Sequence, residues 1–189
     1  MGMQGMNMMD MDVDLMFIDM MTPHHESAMA MAEVALERAE HPELAELAQE
    51  IIDAQQAEID QMQAWRDEWY PNAEQMPMGQ MGGMSEMMQC PQNMEGMGMM
   101  DMAGMMDPEA AAEEMRSAAE PFDLAFINSM IPHHLMALMM TEGLIQSAIH
   151  PELAGLAQAM FDTQLEEITT MQGWRAEWYG ATGSATPAS

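Results

Sequence analysis

An internal duplication constrains this chain more than any other feature of its sequence. Residues 14–70 align without a gap on residues 123–179 at a constant offset of 109 positions, and 31 of the 57 aligned positions are identical. Both copies carry the same landmarks in the same order: a PHH triplet, an HPELA segment and a closing WRxEWY segment. Each copy is therefore one structural unit, and the fold must bury the same apolar faces twice.

Each copy has the pattern of a helical hairpin. Apolar and small side chains recur every three, four or seven residues from Leu15 to Ala39, which is the spacing of one helical face. Pro42 then suits the first turn of a second helix. One hairpin leaves its apolar stripe uncovered, so we predict an all-α four-helix bundle made of both hairpins. Pro23 and Pro132 fall inside their helices, which predicts a kink or a helix restart before each histidine pair.

Four further segments complete the organisation. The N-terminal segment 1–13 is methionine-rich, the linker is 71–120, the second hairpin spans 121–179, and we predict a disordered tail at 180–189. Within the linker, 13 of the 31 residues from position 76 to 106 are methionine, with glycine between them and no apolar periodicity, which predicts a flexible loop. Only the stretch 108–119 has the residues of a short helix. An up-down bundle needs about two to eight residues there, so the extra length indicates function or disorder.

Charge and cysteine content exclude several classes of protein. The chain has 32 acidic residues against four arginines and no lysine, a formal charge of -28, which excludes nucleic-acid binding. No apolar run approaches the ~20 residues of a membrane span, so we expect no membrane insertion, and the N-terminus lacks a signal peptide. Cys90 is the only thiol, whereas 32 residues are methionine. Thioethers bind soft metals without forming disulfides, which favours a periplasmic or extracellular location over a cytosolic one.

The PHH segments combine imidazole with thioether donors. At about 100° per residue, Met21 can reach either histidine of the first pair, which gives two overlapping sets: one with His24 and Met31, the other with His25 and Met29. The second copy repeats the arrangement with Leu138 where the first has Met29. Its candidate ligands are Met130, His133, His134, Met136 and Met140.

The second helix of each hairpin adds further candidates. In each hairpin, residues at the same distance from the corner on the two helices lie side by side. Glu58 and Met62 are therefore expected beside the first histidine pair, and Glu167 and Met171 beside the second. Both pairs are then expected at the pole that carries the N-terminal methionines and the loop ends. The corner histidines of the two HPELA segments are expected at the opposite pole, with their rings bonded to nearby backbone.

This donor set suits Cu(I) and, by the same softness, Ag(I), while histidine with glutamate could hold Cu(II). Structural interpretations compete with ligation. Core packing is favoured for Met62 and Met171. His25 and His134 are equally compatible with a hydrogen-bonded core histidine, whereas His24, like its second-copy equivalent, favours ligation. The loop methionines are candidates for metal capture, with an oxidisable linker as the alternative.

The segments FIxxMxPHH, HPELA and MQxWRxEWY, present in both copies, closely resemble the bacterial family catalogued as domain of unknown function 305, which includes CopM-like copper-associated proteins. The resemblance implies a ferritin-like four-helix bundle, export, and binding of Cu(I) or Ag(I) in metal tolerance. Its motif falls on Met21, His24, His25 and Met31 and on the equivalent residues Met130, His133, His134 and Met140.

We therefore expect a non-enzymatic, exported protein that sequesters Cu(I) or transfers it, with metal ions and a copper efflux or transfer protein as partners. One alternative is a methionine-based oxidant sink or stress protein without a specific metal. A ferritin-like metallo-oxidase is a weaker alternative, because di-iron bundles use Glu-x-x-His pairs and the sequence has none.

Overall fold

The computed structural model describes residues 12–74 and 106–180, and this part of the chain contains five helices and no strand. The helices are α1 (Val13–Arg38), α2 (Pro42–Trp69), α3 (Pro108–Ser117), α4 (Phe122–Ser147) and α5 (Pro151–Tyr179). The predicted all-α bundle of two hairpins, α1–α2 and α4–α5, is confirmed. The short helix α3 lies within the stretch 108–119 where one was predicted.

Three predictions fall outside the described residues. They concern the methionine-rich N-terminal segment, most of the methionine-rich linker with its Cys90, and the C-terminal tail. The division of the chain into domains at these segments therefore stays a prediction.

The helix starts follow from local sequence. The Asp12 carboxylate accepts hydrogen bonds from two backbone N–H groups in the first turn of α1, at 3.0 and 3.4 Å, and Asp107 does the same for α3, at 3.0 and 3.1 Å. Such caps satisfy donors that have no partner inside the helix. Pro42 and Pro151 occupy the first turns of α2 and α5, where a missing N–H costs nothing.

Pro23 and Pro132 do not interrupt their helices. Both α1 and α4 run unbroken through the proline for 26 residues each, so the predicted helix restart is wrong. An interior proline costs about 3 kcal/mol, since it removes one hydrogen bond and crowds a carbonyl. Both helices bury residues on either side of the proline along their full length, and this packing outweighs the local cost.

The two hairpins lie antiparallel to each other. Asp14, at the start of α1, accepts hydrogen bonds from two consecutive backbone N–H groups of the α4–α5 corner, at 2.9 and 2.8 Å. Asp123, at the start of α4, accepts from the equivalent pair in the α1–α2 corner, both at 2.9 Å. The start of each hairpin thus meets the corner of the other, and an approximate twofold axis relates the repeats.

This arrangement corrects the predicted poles. The corner histidines His41 and His150 lie at opposite ends of the bundle, and the PHH segments lie near the middle of α1 and α4. The end of α2 is also at the opposite end of the bundle from the start of α4. The connection between them must therefore cross about 39 Å, the length of a 26-residue helix, which needs at least ~12 residues rather than two to eight.

Packing is uneven around the bundle. Helix α1 packs against α2, α3 and α4, and α4 packs against α5, whereas α2 and α5 touch only narrowly. Arg38 fixes α3 on α1, because its guanidinium donates to three carbonyl oxygens at the C-terminal end of α3, at 2.7, 2.9 and 3.1 Å. A groove remains between α2 and α5.

Candidate metal centre

The four histidines of the PHH segments meet in the middle of the bundle. Each is at most 1% exposed. His24 and His133 face each other across the approximate twofold axis, with ring centroids 3.8 Å apart. Each of them is 6.3 Å from the other histidine of its own pair. The duplication therefore builds one central group of imidazoles, with His24 and His133 inside and His25 and His134 outside.

The outer histidines contact glutamates of the returning helices. His25 Nε2 lies 2.8 Å from Glu58 Oε2, and His134 Nε2 lies 2.7 Å from Glu167 Oε2. The first contact is a hydrogen bond, while the second is within ion-pair distance but lacks hydrogen-bond angles. The predicted level of both glutamates is confirmed. These contacts fit the hydrogen-bonded interpretation of the outer histidines, and a carboxylate on an imidazole also orients it as a ligand.

The inner histidines His24 and His133 have different hydrogen-bond partners, because the first repeat has a serine where the second has a methionine. Ser27 Oγ donates to the His24 carbonyl oxygen at 2.9 Å and lies 2.7 Å from His133 Nε2. Ser27 and His133 therefore share a hydrogen bond, in which the tautomer of the imidazole decides which group donates. The equivalent of Ser27 in the second repeat is Met136, whose thioether cannot donate. Accordingly, neither ring nitrogen of His24 has a hydrogen-bond partner of good geometry among the described residues.

Burial keeps His24 neutral. It lowers the pKa of His24 well below the ordinary value of 6.5, and the neighbouring imidazoles His133, His25 and His134 lower it further by charge repulsion. A neutral imidazole has a lone pair available to a metal. His24 therefore combines complete burial with a neutral ring whose nitrogens lack hydrogen-bond partners of good geometry.

The buried methionines belong to two hydrophobic clusters. Met21 and Met31, predicted to share a site with His24, lie in different clusters, and that ligand set stays a prediction. Met29 is only half-buried and belongs to neither cluster. Each cluster instead combines both repeats. Of the candidate ligands, methionine cluster 1 contains Met31, Met130 and Met171, and methionine cluster 2 contains Met21, Met62, Met136 and Met140. The other buried methionines are Met115 in cluster 1 and Met20, Met106 and Met160 in cluster 2.

The donor types determine which metals the centre suits. Within residues 12–74 and 106–180, no group of three or more His, Cys, Asp or Glu side chains is arranged to hold a metal ion. The bundle core also contains buried thioethers on the same helices, and imidazole with thioether is a ligand set for soft, monovalent ions. The residues present therefore fit Cu(I) or Ag(I) better than ions that require oxygen ligands.

The corner histidines have side-chain partners that the sequence analysis missed. His150 Nδ1 lies 2.7 Å from the Asp14 carboxylate, and its ring stacks on Trp69 at 3.7 Å. His41 is held in the same way by Asp123, at 2.6 Å, with its ring 3.8 Å from another tryptophan, Trp178. The signal was available, because each copy begins with an aspartate and ends with the EWY segment. These corner groups fix the antiparallel arrangement and are separate from the central histidines.

The fold and the centre define a class: helical bundles that enclose imidazole and thioether donors. The chain belongs to the family described as Domain of unknown function (DUF305), which it matches over residues 14–175. The resemblance seen in the sequence is thus confirmed. No curated protein matches the chain.

Solved structures of CopM are similar to this chain. The Cu(I)-bound form is 35% identical, with a TM-score of 0.65 over 88% of this chain and 98% of CopM. The Cu(II)-bound form is 37% identical, with a TM-score of 0.67 over 88% of this chain and 97% of CopM. An Ag-bound form is 35% identical, with a TM-score of 0.65 over the same shares of the two chains. A DUF305 protein of Streptomyces coelicolor that is inferred to be secreted is 23% identical, with a TM-score of 0.67 over 88% and 93%, and shows the fold alone.

No helix in the described ranges is both long and apolar enough to cross a membrane.

Proposed function

We propose that this protein binds Cu(I) and Ag(I) at the central histidines and the adjoining methionine clusters, and that it sequesters or transfers these ions in metal tolerance. The observation that carries the proposal is the state of His24, which is fully buried, neutral and without a hydrogen-bond partner of good geometry beside a cluster of buried thioethers. A buried polar group that forms no bond costs stability. A metal ion that binds the lone pair of the His24 imidazole would offset this cost.

The two halves of the centre are not equivalent. Ser27 occupies the Nε2 side of His133, whereas the second repeat places the thioether of Met136 at the corresponding position. Cluster 2 also contains one more candidate thioether than cluster 1. We therefore assign the tighter soft-metal site to His24 with cluster 2, and the weaker one to His133 with cluster 1.

CopM, which is similar over most of this chain, has been solved with Cu(I), Cu(II) and Ag. This supports copper and silver as the ions bound here. The chain has 32 methionines and a single cysteine, which supports an exported carrier, because thioethers bind soft metals without forming disulfides. We propose that this carrier is not an enzyme. A copper efflux or transfer protein would be its partner.

Anaerobic titration of Cu(I) against a chromophoric competitor tests the proposal. The intact protein is compared with Met21→Leu/Met62→Leu and with His24→Leu. Met115→Leu is the control for cluster 2, because Met115 is equally buried but lies on α3 in cluster 1 and is not a candidate ligand. Leucine keeps the apolar volume and removes only the sulfur.

We expect the first two variants to bind Cu(I) at least about tenfold more weakly, and the Met115 variant to bind normally. Equal affinity in all four proteins would overturn the assignment of copper to the buried centre. Retention of all binding by His24→Leu, with loss in a variant that lacks the linker methionines, would make the histidines structural. The methionine-based oxidant sink would then be the better function.

A further inference from the structure

A groove of about 420 Å³ lies between α2 and α5, where these two helices diverge. Glutamates line it from both sides: Glu43, Glu46 and Glu50 on α2, and Glu166 and Glu167 on α5. We call this the acidic groove. Trp174 also lines it and stacks on Trp178, which stacks in turn on His41. The acidic groove therefore runs from the corner of the first hairpin towards the middle of the bundle.

The inner end of the acidic groove reaches the central histidines. Glu167 is only 8% exposed, and its Oε2 atom lies 2.7 Å from His134 Nε2. Neither atom has hydrogen-bond geometry with any group in the described part of the chain. A carboxylate oxygen and an imidazole nitrogen this close are two donors that one metal cation can contact. A solvent-lined groove thus leads to a buried donor pair.

The acidic groove carries more carboxylates than its counterpart in the other half of the pseudosymmetric molecule. The twofold axis relates Glu46, Glu50 and Glu166 to Gly155, Ala159 and Ala57. Glu43 and Glu167 keep glutamates as their counterparts. Space at the backbone does not explain the glycine, because a Cβ atom added at Gly155 would meet no atom within 4 Å. Three extra carboxylates therefore stand on the His134 side and none on the His25 side.

We infer that the acidic groove is the access route by which a metal cation reaches the central histidines, entering at His134 through Glu167. A cleft lined by charges of one sign concentrates the opposite ion and raises its association rate. Carboxylates hold a soft ion weakly, so the ion moves on to imidazole and thioether. Loading is then asymmetric, although the fold is nearly symmetric. This inference rests on the proposed function, because it concerns the delivery of ions to the same centre.

Two variants with opposite charge changes test the route. Glu46→Ala/Glu50→Ala/Glu166→Ala gives the groove the apolar character of its counterpart. Ala57→Glu/Gly155→Glu/Ala159→Glu builds the missing carboxylates on the His25 side. The control, Glu26→Gln/Glu33→Gln/Glu37→Gln, removes the same charge as the first variant from exposed positions on α1. All three leave the histidines and the buried methionines unchanged.

Ag(I) as its nitrate salt is the probe. Stopped-flow mixing, followed by tryptophan fluorescence, gives the association rate. ¹⁵N NMR of the imidazoles at substoichiometric Ag(I) shows which histidine responds first. We expect the first variant to associate about tenfold more slowly at low salt, with equilibrium affinity changed by less than about twofold. The control should match the wild type within about twofold, and His134 should respond before His25 except in the second variant, where both respond together.

The outcomes separate the two proposals. If the wild type binds Ag(I) but all variants associate at the same rate, or if His25 responds first, the access route is wrong and the metal centre stands. If the control slows association as much as the groove variant, net charge rather than the groove guides the ion, which also overturns the route. If the wild type binds no Ag(I), the proposed function itself fails.

Discussion

The substitution His24→Leu should stabilise the metal-free protein while weakening metal binding. His24 is completely buried, and its two ring nitrogens lack hydrogen-bond partners of good geometry. Burial of an unsatisfied polar group costs about 1–3 kcal/mol, and leucine is apolar and of similar size. The free energy of unfolding at pH 7 should therefore rise by about 1–3 kcal/mol. Most core substitutions do the opposite.

The same substitution should alter the dependence of stability on pH. Because burial lowers the pKa of His24, the unfolded chain takes up a proton below the ordinary value of 6.5 while the folded chain does not. Wild-type stability is therefore complete above pH 6.5 and falls as the pH decreases towards the lowered pKa. Between pH 7.0 and 5.5 this single group should lower the stability of the wild type by up to about 1.3 kcal/mol, the limit for a histidine that stays neutral in the folded protein. The leucine variant lacks that loss.

Urea unfolding of the metal-free proteins at pH 7.0 and 5.5 measures both effects. His25→Leu is the contrasting variant, because it removes the hydrogen-bond partner of the half-buried Glu58 and should destabilise the fold by about 1–3 kcal/mol. If His24→Leu is destabilised as much as His25→Leu, His24 has an important structural bond and the argument for an unused ligand fails. A stability advantage that does not grow from pH 7.0 to 5.5 would show that His24 is not held neutral.

Three further predictions concern the contacts that hold the bundle together, and urea unfolding or hydrogen exchange checks them. Asp14→Ala leaves three donors of the opposite corner without their acceptor and should cost about 3–5 kcal/mol. Arg66→Ala removes the guanidinium from the buried Asp19 and should lower the free energy of unfolding by about 3 kcal/mol. The equivalent Arg175 makes only a long contact to an exposed amide, so Arg175→Ala should cost less than about 1 kcal/mol. Arg38→Ala should speed amide exchange in α3 without lowering global stability to the same extent.

The hairpins could be predicted from sequence because their signals are local. Apolar spacing, a proline at the start of the second helix and an aspartate cap all act within a few residues. The relative direction of the two hairpins could not be predicted from sequence, because parallel and antiparallel pairs of hairpins bury the same apolar helix faces. The direction depends on contacts such as that of Asp14 with the corner 135 residues away. The helix restart predicted at Pro23 and Pro132 was wrong for a related reason. Tertiary packing keeps α1 and α4 continuous through these prolines.

The candidate ligands were identified by type, but their grouping followed from the antiparallel arrangement. A helical wheel combines only residues of one helix, and so it joined Met21 to Met31. In an antiparallel pair, residues before the histidines on one helix face residues after them on the other. Met21 therefore shares a cluster with Met140, and Met31 with Met130.

Because the repeats pack antiparallel, the substitution of Met136 for serine in the second repeat changes the surroundings of an inner histidine in the first. In a perfectly duplicated chain, the two inner histidines would have identical partners and neither half would be preferred. The serine satisfies His133 with a hydrogen bond, while the methionine offers no hydroxyl and both ring nitrogens of His24 lack hydrogen-bond partners of good geometry. Met136→Ser should therefore make the halves alike, by supplying His24 with a hydroxyl partner. We expect it to raise the stability of the metal-free protein and to weaken the tighter Cu(I) site, as measured by urea unfolding and competitive titration. A variant that binds Cu(I) as tightly as the wild type would show that the asymmetry of the repeats does not set the affinity of the centre.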